Sequence, residues 1–203
     1  MATILAFGDS LTWGARPDGG GRHPTADRWT TVLHERTGFE VIPEGLRGRT
    51  TAFDMPVSPA DTNGAALLPS ILHTHAPVDL VVLMLGTNDA FCGVNPELAA
   101  RGMARLIEIV RHHPCRIPCE VPQILVVAPP VIVPSSDITS AMIDASQKYR
   151  DLVTKIAELN EVEFFDSNDV AVCSALDGLH LDAENTRAIG ASLAPVVTRM
   201  LAP

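Results

Sequence analysis

The fold of this chain is decided by the stretch Leu80-Val81-Val82-Leu83-Met84-Leu85, in which six apolar residues follow one another without a polar interruption. A second run, Ile124-Leu125-Val126-Val127-Ala128, repeats the pattern. A strand with one exposed face alternates apolar and polar side chains, whereas a parallel strand covered on both faces is apolar throughout. Both runs therefore predict central strands of a parallel sheet that has helices on each side.

Shorter β-rich segments and helical segments alternate around these two runs. The other predicted strands are Thr3–Phe7, Glu40–Ile42 and Glu163–Asp166. Apolar residues at helical spacing predict helices over Asp27–Thr37, Gly64–His75, Pro96–His113, Ser136–Leu159 and about Asp182–Met200. This alternation predicts βαβ units with right-handed crossovers and a doubly wound α/β sheet. The length of 203 residues suits a single domain, 1–203.

The composition narrows the classes of partner. Hydrophobic residues make up 46% of the chain and charged residues 19%, which is typical of a soluble globular protein. The net charge of −9 repels phosphate backbones and anionic lipids, so we expect neither nucleic acid nor membrane surfaces as partners. The apolar N-terminal run breaks at Gly8-Asp9, too early for a signal peptide, and the expected location is cytoplasmic.

Cys115 and Cys119 raise the question of a metal site, because they stand four apart and close to His112 and His113. Zinc sites usually pair such cysteines with a second ligand pair elsewhere in the chain, and here only the two adjacent histidines are near. We therefore expect no metal. A loop with free thiols, or with one disulfide if the protein is exported, is the preferred interpretation.

Glycines and small polar residues follow four of the predicted strands. In an open α/β sheet, ligands bind beyond the carboxyl ends of the strands. The four segments are Gly8-Asp9-Ser10-Leu11, Gly45–Gly48, Gly86-Thr87-Asn88-Asp89 and Asp177-Gly178-Leu179-His180. Together they supply the parts for ester hydrolysis through a covalent intermediate: a nucleophile, a base, a group that orients the base, and donors for the oxyanion.

Each role falls to a particular residue. Ser10 offers the nucleophilic hydroxyl, and His180 is a base whose ordinary pKa near 6.5 suits neutral pH. Asp177 stands three residues earlier, so its carboxylate can reach Nδ1 of that histidine. The predicted oxyanion donors are the Asn88 side-chain amide and the backbone N–H groups of Gly48 and Ser10.

Two aromatic residues, Trp13 and Phe91, follow these catalytic segments and are expected to wall the acyl or alcohol pocket. Packing into the core is an equally open interpretation for each. Asp9 and Asp89 are interpreted as acceptors that stabilise turns. The remaining histidines are interpreted as surface or capping residues: His23, His34, His73, His75, His112 and His113.

The four segments resemble the sequence blocks of the GDSL, or SGNH, hydrolases, which are named for an invariant Ser, Gly, Asn and His. Ser10, Gly48, Asn88 and His180 match those four residues. The resemblance implies a three-layer α/β/α flavodoxin-like fold with a five-stranded parallel sheet in the order 2-1-3-4-5. It also implies a serine esterase that needs no cofactor.

A closer similarity is to bacterial arylesterases with acyltransferase activity. It is carried by Phe7-Gly8-Asp9-Ser10-Leu11-Thr12-Trp13-Gly14, by Glu44-Gly45-Leu46 with Arg49-Thr50-Thr51, and by Met84-Leu85-Gly86-Thr87-Asn88-Asp89. This subgroup implies small aryl or alkyl esters as substrates, acyl transfer to alcohols in water, and a homo-oligomer, often an octamer. The region after Asn88-Asp89 is shorter than expected for the transferase type.

Two other functions compete with this one. A carbohydrate O-acetyl esterase uses the same catalytic parts. A non-enzymatic flavodoxin-like receiver or binding domain would place acids where Asp9 and Asp89 stand, but it should also carry a lysine near the end of the fifth strand. That region reads Phe165-Asp166-Ser167-Asn168-Asp169 and has none. Nucleotide or flavin binding is weaker still, because no Gly-x-Gly-x-x-Gly motif is present.

Overall fold

The computed structural model describes residues 1–114 and 120–202. Its strands are β1 (Thr3–Gly8), β2 (Glu40–Gly45), β3 (Leu80–Met84), β4 (Gln123–Ala128) and β5 (Glu163–Asp166). They form one parallel sheet in the spatial order β2-β1-β3-β4-β5. The predicted α/β class and the strand order implied by the resemblance are both confirmed.

Helices cover both faces of the sheet. They are α1 (Ser10–Trp13), α2 (Trp29–Thr37), α3 (Gly64–His75), α4 (Thr87–Phe91), α5 (Pro96–His112), α6 (Ser140–Leu159) and α7 (Ala183–Met200). One core cluster lies between the sheet and α3, α5 and α6. The other lies between the sheet and α1, α2 and α7, so the fold has three layers.

The central strand β3 shows why its sequence is apolar without interruption. All five of its residues are buried. Val81 and Leu83 point into the core cluster under α5, whereas Val82 and Met84 point into the cluster under α7. Full burial of such a side chain contributes about 1.5–3 kcal/mol, so a polar residue on either face would be costly.

Two helices begin later than the sequence predicted. The long helix α6 begins at Ser140 instead of Ser136, because the Thr139 hydroxyl accepts a hydrogen bond from the N–H three residues on and caps the helix there. Helix α2 begins at Trp29 instead of Asp27, because the residues before it form a separate short 3₁₀ turn.

The sequence predictions for Cys115 and Cys119 lie outside the described residues. Within the described part of the chain, Cys92 and Cys173 are free thiols, and no group of three or more His, Cys, Asp or Glu side chains is arranged to hold a metal ion. No helix in residues 1–114 or 120–202 has both the length and the apolar character needed to cross a bilayer.

Candidate active site

Strand β1 turns directly into helix α1, and this turn positions Ser10 as the first residue of the helix. A Cβ atom on Gly8 would lie 2.1 Å from Oγ1 of Thr12, so only glycine allows the strand to approach the helix this closely. The Asp9 carboxylate caps the helix by accepting a hydrogen bond from the N–H of Leu11 at 2.9 Å. The turn therefore holds Ser10 in one place at the carboxyl edge of the sheet.

Ser10, His180 and Asp177 form a continuous chain of hydrogen bonds. Nε2 of His180 lies 2.9 Å from Oγ of Ser10, and Nδ1 of the same ring lies 2.6 Å from Oδ2 of Asp177. The other carboxylate oxygen of Asp177 accepts hydrogen bonds from the N–H groups of Leu179 and His180 at 3.0 and 2.9 Å. With Nδ1 donating to Asp177, Nε2 is left to accept the Ser10 hydroxyl proton.

The loop that carries Asp177 and His180 is held against the segment that follows β4. Gly178 has a φ of 77°, and a Cβ atom there would lie 2.4 Å from the carbonyl oxygen of Val133. The Val133 N–H donates to the carbonyl of Gly178 at 3.0 Å, and the Ser135 hydroxyl donates to the carbonyl of Asp177 at 2.9 Å. These contacts fix the position of the histidine relative to the sheet.

The predicted oxyanion donors lie together at the same edge. A cavity of about 550 Å³ opens there, and its lining includes Ser10, Gly48, Asn88 and His180. Gly48 has a φ of 81°, a left-handed conformation that favours glycine. The backbone N–H groups of Ser10 and Gly48 donate no hydrogen bond within the described residues, so both remain available to a ligand.

The two predicted aromatic wall residues have different positions. Phe91 lines the cavity. Trp13 is not one of the described residues that line it, and its role as a pocket wall stays a prediction. Its ring instead packs against the guanidinium groups of Arg22 and Arg47, whose carbons lie 5.1 and 5.4 Å from the ring centre. Arg47 itself lines the cavity.

Residues 6–187 match the GDSL-like lipase/acylhydrolase family. The chain belongs to this family. The resemblance drawn from Ser10, Gly48, Asn88 and His180 is thereby confirmed, and the family is one of hydrolases rather than of receiver domains.

Two solved structures resemble this GDSL hydrolase along its whole length. A carbohydrate acetylesterase family member from Sinorhizobium meliloti has a TM-score of 0.94 at 42% identity, and the alignment covers 100% of both chains. A protein assigned as an arylesterase, from Agrobacterium tumefaciens str. C58, has a TM-score of 0.93 at 45% identity, covering 99% of this chain and 100% of that one.

An arylesterase of Vibrio mimicus is 28% identical over 113 residues, which are 53% of this chain and 48% of that protein. The match thus spans about half the length of this curated relative. The names of these similar proteins correspond to the two esterase types that the sequence left open.

Two buried acids support the site of this GDSL hydrolase. Burial raises the pKa of Asp9 to about 7, against the opposing effect of the hydrogen bond from Leu11. Burial likewise raises the pKa of Asp89 to about 6. Asp89 accepts hydrogen bonds from the N–H and the hydroxyl of Thr51 at 3.0 and 2.6 Å, so it ties the loop after β2 to helix α4, which carries Asn88. Both acids are acceptors, as the sequence indicated.

Sequence reasoning assigned no role to Arg49, although its side chain joins three parts of the site. The guanidinium is buried over the ring of Phe7, 4.0 Å from its centre, and burial lowers the pKa of Arg49 to about 10. It donates hydrogen bonds to the carbonyls of Gly8 and Glu44. Arg49 therefore joins the ends of β1 and β2 to the loop that contains Gly48.

The interpretation of His23 as a surface or capping residue is wrong. Its side chain is buried, and Nε2 lies 2.9 Å from the carbonyl oxygen of Leu181, the residue that follows His180. His23 therefore holds the end of the loop that carries Asp177 and His180. No motif in the sequence pointed to this contact, because a single histidine in a loop carries no pattern that shows its burial or its partner.

Proposed function

We propose that this hydrolase cleaves carboxylic esters through an acyl-enzyme formed on Ser10. The observation that carries the proposal is the hydrogen-bond chain from Asp177 through His180 to Ser10, with distances of 2.6 and 2.9 Å. This is the arrangement that turns a weakly nucleophilic hydroxyl into an effective nucleophile.

In the first half of the reaction, Oγ of Ser10 attacks the ester carbonyl carbon while Nε2 of His180 takes the hydroxyl proton. Asp177 stabilises the resulting imidazolium through Nδ1. When the tetrahedral intermediate collapses, the bond to the alcohol oxygen breaks and His180 returns its proton to the departing alcohol. The acyl group remains on Ser10.

In the second half, water takes the place of the alcohol. His180 removes a proton from the water as its oxygen attacks the acyl carbon. The bond to Oγ of Ser10 then breaks, the acid leaves, and the serine regains its proton. If an alcohol attacks instead of water, the same steps transfer the acyl group, which is the acyltransferase activity implied by the resemblance.

The negative oxygen that forms in each half would lie among three donors. These are the backbone N–H groups of Ser10 and Gly48 and the side-chain amide of Asn88, all of which border the cavity. Donors placed where charge develops stabilise the transition state more than the substrate. Ser10 thus contributes both its hydroxyl and its N–H.

The proposed substrates are small aryl or alkyl esters with short acyl groups. The cavity of about 550 Å³ has apolar walls that include Leu46 and Phe91, which suits a small apolar ester. A carbohydrate O-acetyl esterase is the second candidate, favoured by the similarity to the Sinorhizobium meliloti protein. Rates on phenyl acetate, phenyl octanoate and acetylated xylose would distinguish a short-chain arylesterase, a long-chain esterase and a sugar deacetylase.

The mechanism is tested with Ser10→Ala and with Ser70→Ala, a control on the exposed surface of α3. Loss of the nucleophile should lower kcat on phenyl acetate by about 10⁶-fold. A fluorophosphonate should add one adduct to the wild type and to Ser70→Ala, and none to Ser10→Ala. Wild-type activity in Ser10→Ala would refute the proposal.

Assembly and location also remain proposals. The resemblance implies a homo-oligomer, often an octamer, and the proposed location is the cytoplasm. Light scattering coupled to size-exclusion chromatography measures the mass of the particle directly. A particle with the 21.7 kDa mass of one chain would contradict the oligomer.

A further inference from the structure

The cavity in front of Ser10 has one permanently charged side chain among its described lining residues, and that side chain is Arg47. No aspartate or glutamate among the described residues contributes to the lining. His180 also borders the cavity, but its charge changes during the proposed reaction. A substrate in this cavity therefore meets a fixed positive charge.

Arg47 has no acidic partner within the described residues. The arginines that form ion pairs there are Arg16, Arg111, Arg150, Arg187 and Arg199. Among the described residues, Arg47 makes a cation–π contact with Trp13, whose ring centre lies 5.4 Å from the guanidinium carbon. An arginine with a structural role normally donates hydrogen bonds to a carboxylate or to carbonyl oxygens. Arg49 does so, whereas Arg47 donates none within the described residues.

The contact with Trp13 orients the guanidinium without using its donors. The guanidinium carries five N–H donors along the edge of its plane, and a cation–π contact does not require any of them to donate a hydrogen bond. That edge matches the two oxygens of a carboxylate. Arg47 is therefore held at the cavity with its carboxylate-binding edge unoccupied by the described residues.

Two further arginines, Arg22 and Arg28, follow α1 in the chain, and neither lines the cavity. Arg22 lies 5.1 Å from the centre of the Trp13 ring and donates from Nε to the Trp13 carbonyl. Arg28 donates from Nε to the carbonyl of His23 at 3.0 Å, and burial together with the charge of Arg28 lowers the pKa of Arg22. Arg22 and Arg47 thus contact the same ring, that of Trp13.

We infer that Arg47 makes this site selective for esters that carry a carboxylate, on either the acyl or the alcohol part. The inference rests on the proposed function, because it concerns the substrate of the same Ser10 centre. The side chain is exposed, so its effect on an anionic substrate is modest and is weakened by salt.

The test compares two matched pairs of esters. Para-nitrophenyl hemisuccinate and para-nitrophenyl butyrate differ by a carboxylate on the acyl part. Para-acetoxybenzoate and para-acetoxybenzamide differ by a carboxylate on the alcohol part. We expect a higher kcat/KM for the anionic ester in at least one pair. Arg47→Gln should lower that anionic-to-neutral ratio about fivefold at low ionic strength, mainly through KM, since an exposed ion pair is worth up to about 1 kcal/mol.

Arg36→Gln provides a control with the same loss of charge. Arg36 is exposed in the last turn of α2, which leads into the amino end of β2 and so lies at the opposite end of the sheet from the cavity. It should leave the ratio unchanged. Raising the salt concentration to about 0.5 M should reduce the wild-type preference towards that of Arg47→Gln, because the Debye length then falls to about 4 Å.

The outcomes separate this inference from the function on which it rests. If neutral esters are cleaved through Ser10 but Arg47→Gln leaves both ratios unchanged, or if the wild type prefers the neutral ester in both pairs, the role of Arg47 is refuted and the esterase proposal stands. If the wild type cleaves none of the four esters, or if Ser10→Ala cleaves them as well, the proposed function is wrong and the inference falls with it.

Discussion

Asn88 donates both protons of its side-chain amide to the protein: one to Oδ2 of Asp9 at 3.2 Å and one to the backbone oxygen of Arg49 at 3.0 Å. Asp9 is fully buried, so this acceptor cannot move away into solvent. The amide is therefore oriented before substrate arrives. The bond to Asp9 is the longer of the two, and we predict that an oxyanion shares its donor.

Replacement of this donor should impair the chemical step. Asn88→Ala is expected to lower kcat on phenyl acetate by about 100- to 1,000-fold with little change in KM, because the amide acts on charge that exists only in the transition state. Steady-state kinetics measures both constants. The matched control is Asn95→Ala, which removes the cap of α5 at a cost of about 1 kcal/mol in unfolding free energy but should keep kcat. An Asn88→Ala enzyme with wild-type kcat would contradict the oxyanion role.

The orientation of His180 depends on the charge of Asp177. In Asp177→Asn, the neutral amide favours the wrong tautomer of the ring and cannot stabilise an imidazolium, so kcat should fall by about 10⁴-fold. Asp182→Asn is the control, because its Oδ1 accepts from the N–H of Asn185 at 2.8 Å and an asparagine can do the same. Comparable kcat values for the two variants would show that Asp177 does not orient the base.

Gly86 and Gly93 provide a matched test of packing beside the active site. Both have positive φ, 124° and 75°, but a Cβ on Gly86 would lie 2.1 Å from the ring of Tyr149, whereas nothing lies within 4 Å at Gly93. Gly93→Ala should cost about 1 kcal/mol of unfolding free energy from backbone strain alone. Gly86→Ala should cost about 3 kcal/mol or more, because the buried ring must also move. Urea unfolding measures both free energies. Equal losses in the two variants would show that the Tyr149 ring moves aside without a measurable cost in stability.

Ionisation of Asp89 should make stability depend on pH. Its pKa in the folded protein, about 6, exceeds the ordinary value of 3.8 because burial disfavours the charged form. The stabilising contribution of the neutral carboxyl is therefore fully present below about pH 4 and is lost as pH rises through about 6.

Asp89→Asn removes this ionisation, together with the effect of its charge on the pKa of Asp9, while the amide oxygen can still accept a hydrogen bond from Thr51. Between about pH 5 and pH 8, the unfolding free energy of the wild type should fall by about 1 kcal/mol relative to the variant. Urea titrations across this range measure the difference. A difference that stays constant with pH, or that changes in favour of the wild type, would show that burial does not raise the pKa of Asp89.

Local patterns were enough to predict most of the architecture. The uninterrupted apolar runs predicted β3 and β4 as central parallel strands, and both are buried on their two faces. The bounds predicted for β5 and α3 agree with the structure at both ends. Burial on one or both faces of an element decides which of its positions must be apolar. The spacing of apolar residues in the sequence therefore shows the type of element and the faces that are buried. The start of α6 differs from the prediction because Thr139 caps the helix, three residues beyond the predicted beginning at Ser136.

The sequence by itself determined that Ser10, Gly48, Asn88 and His180 stand at strand ends, because each motif directly follows an apolar run or its loop. Only the tertiary structure brings His180 within 2.9 Å of Ser10, across 170 residues of chain. It alone shows that His23 is buried against the residue that follows His180 and that Arg47 lines the cavity. The physical reason is the same in each case: burial and the direction of a side chain depend on segments that are far apart in the sequence, and no local pattern records them.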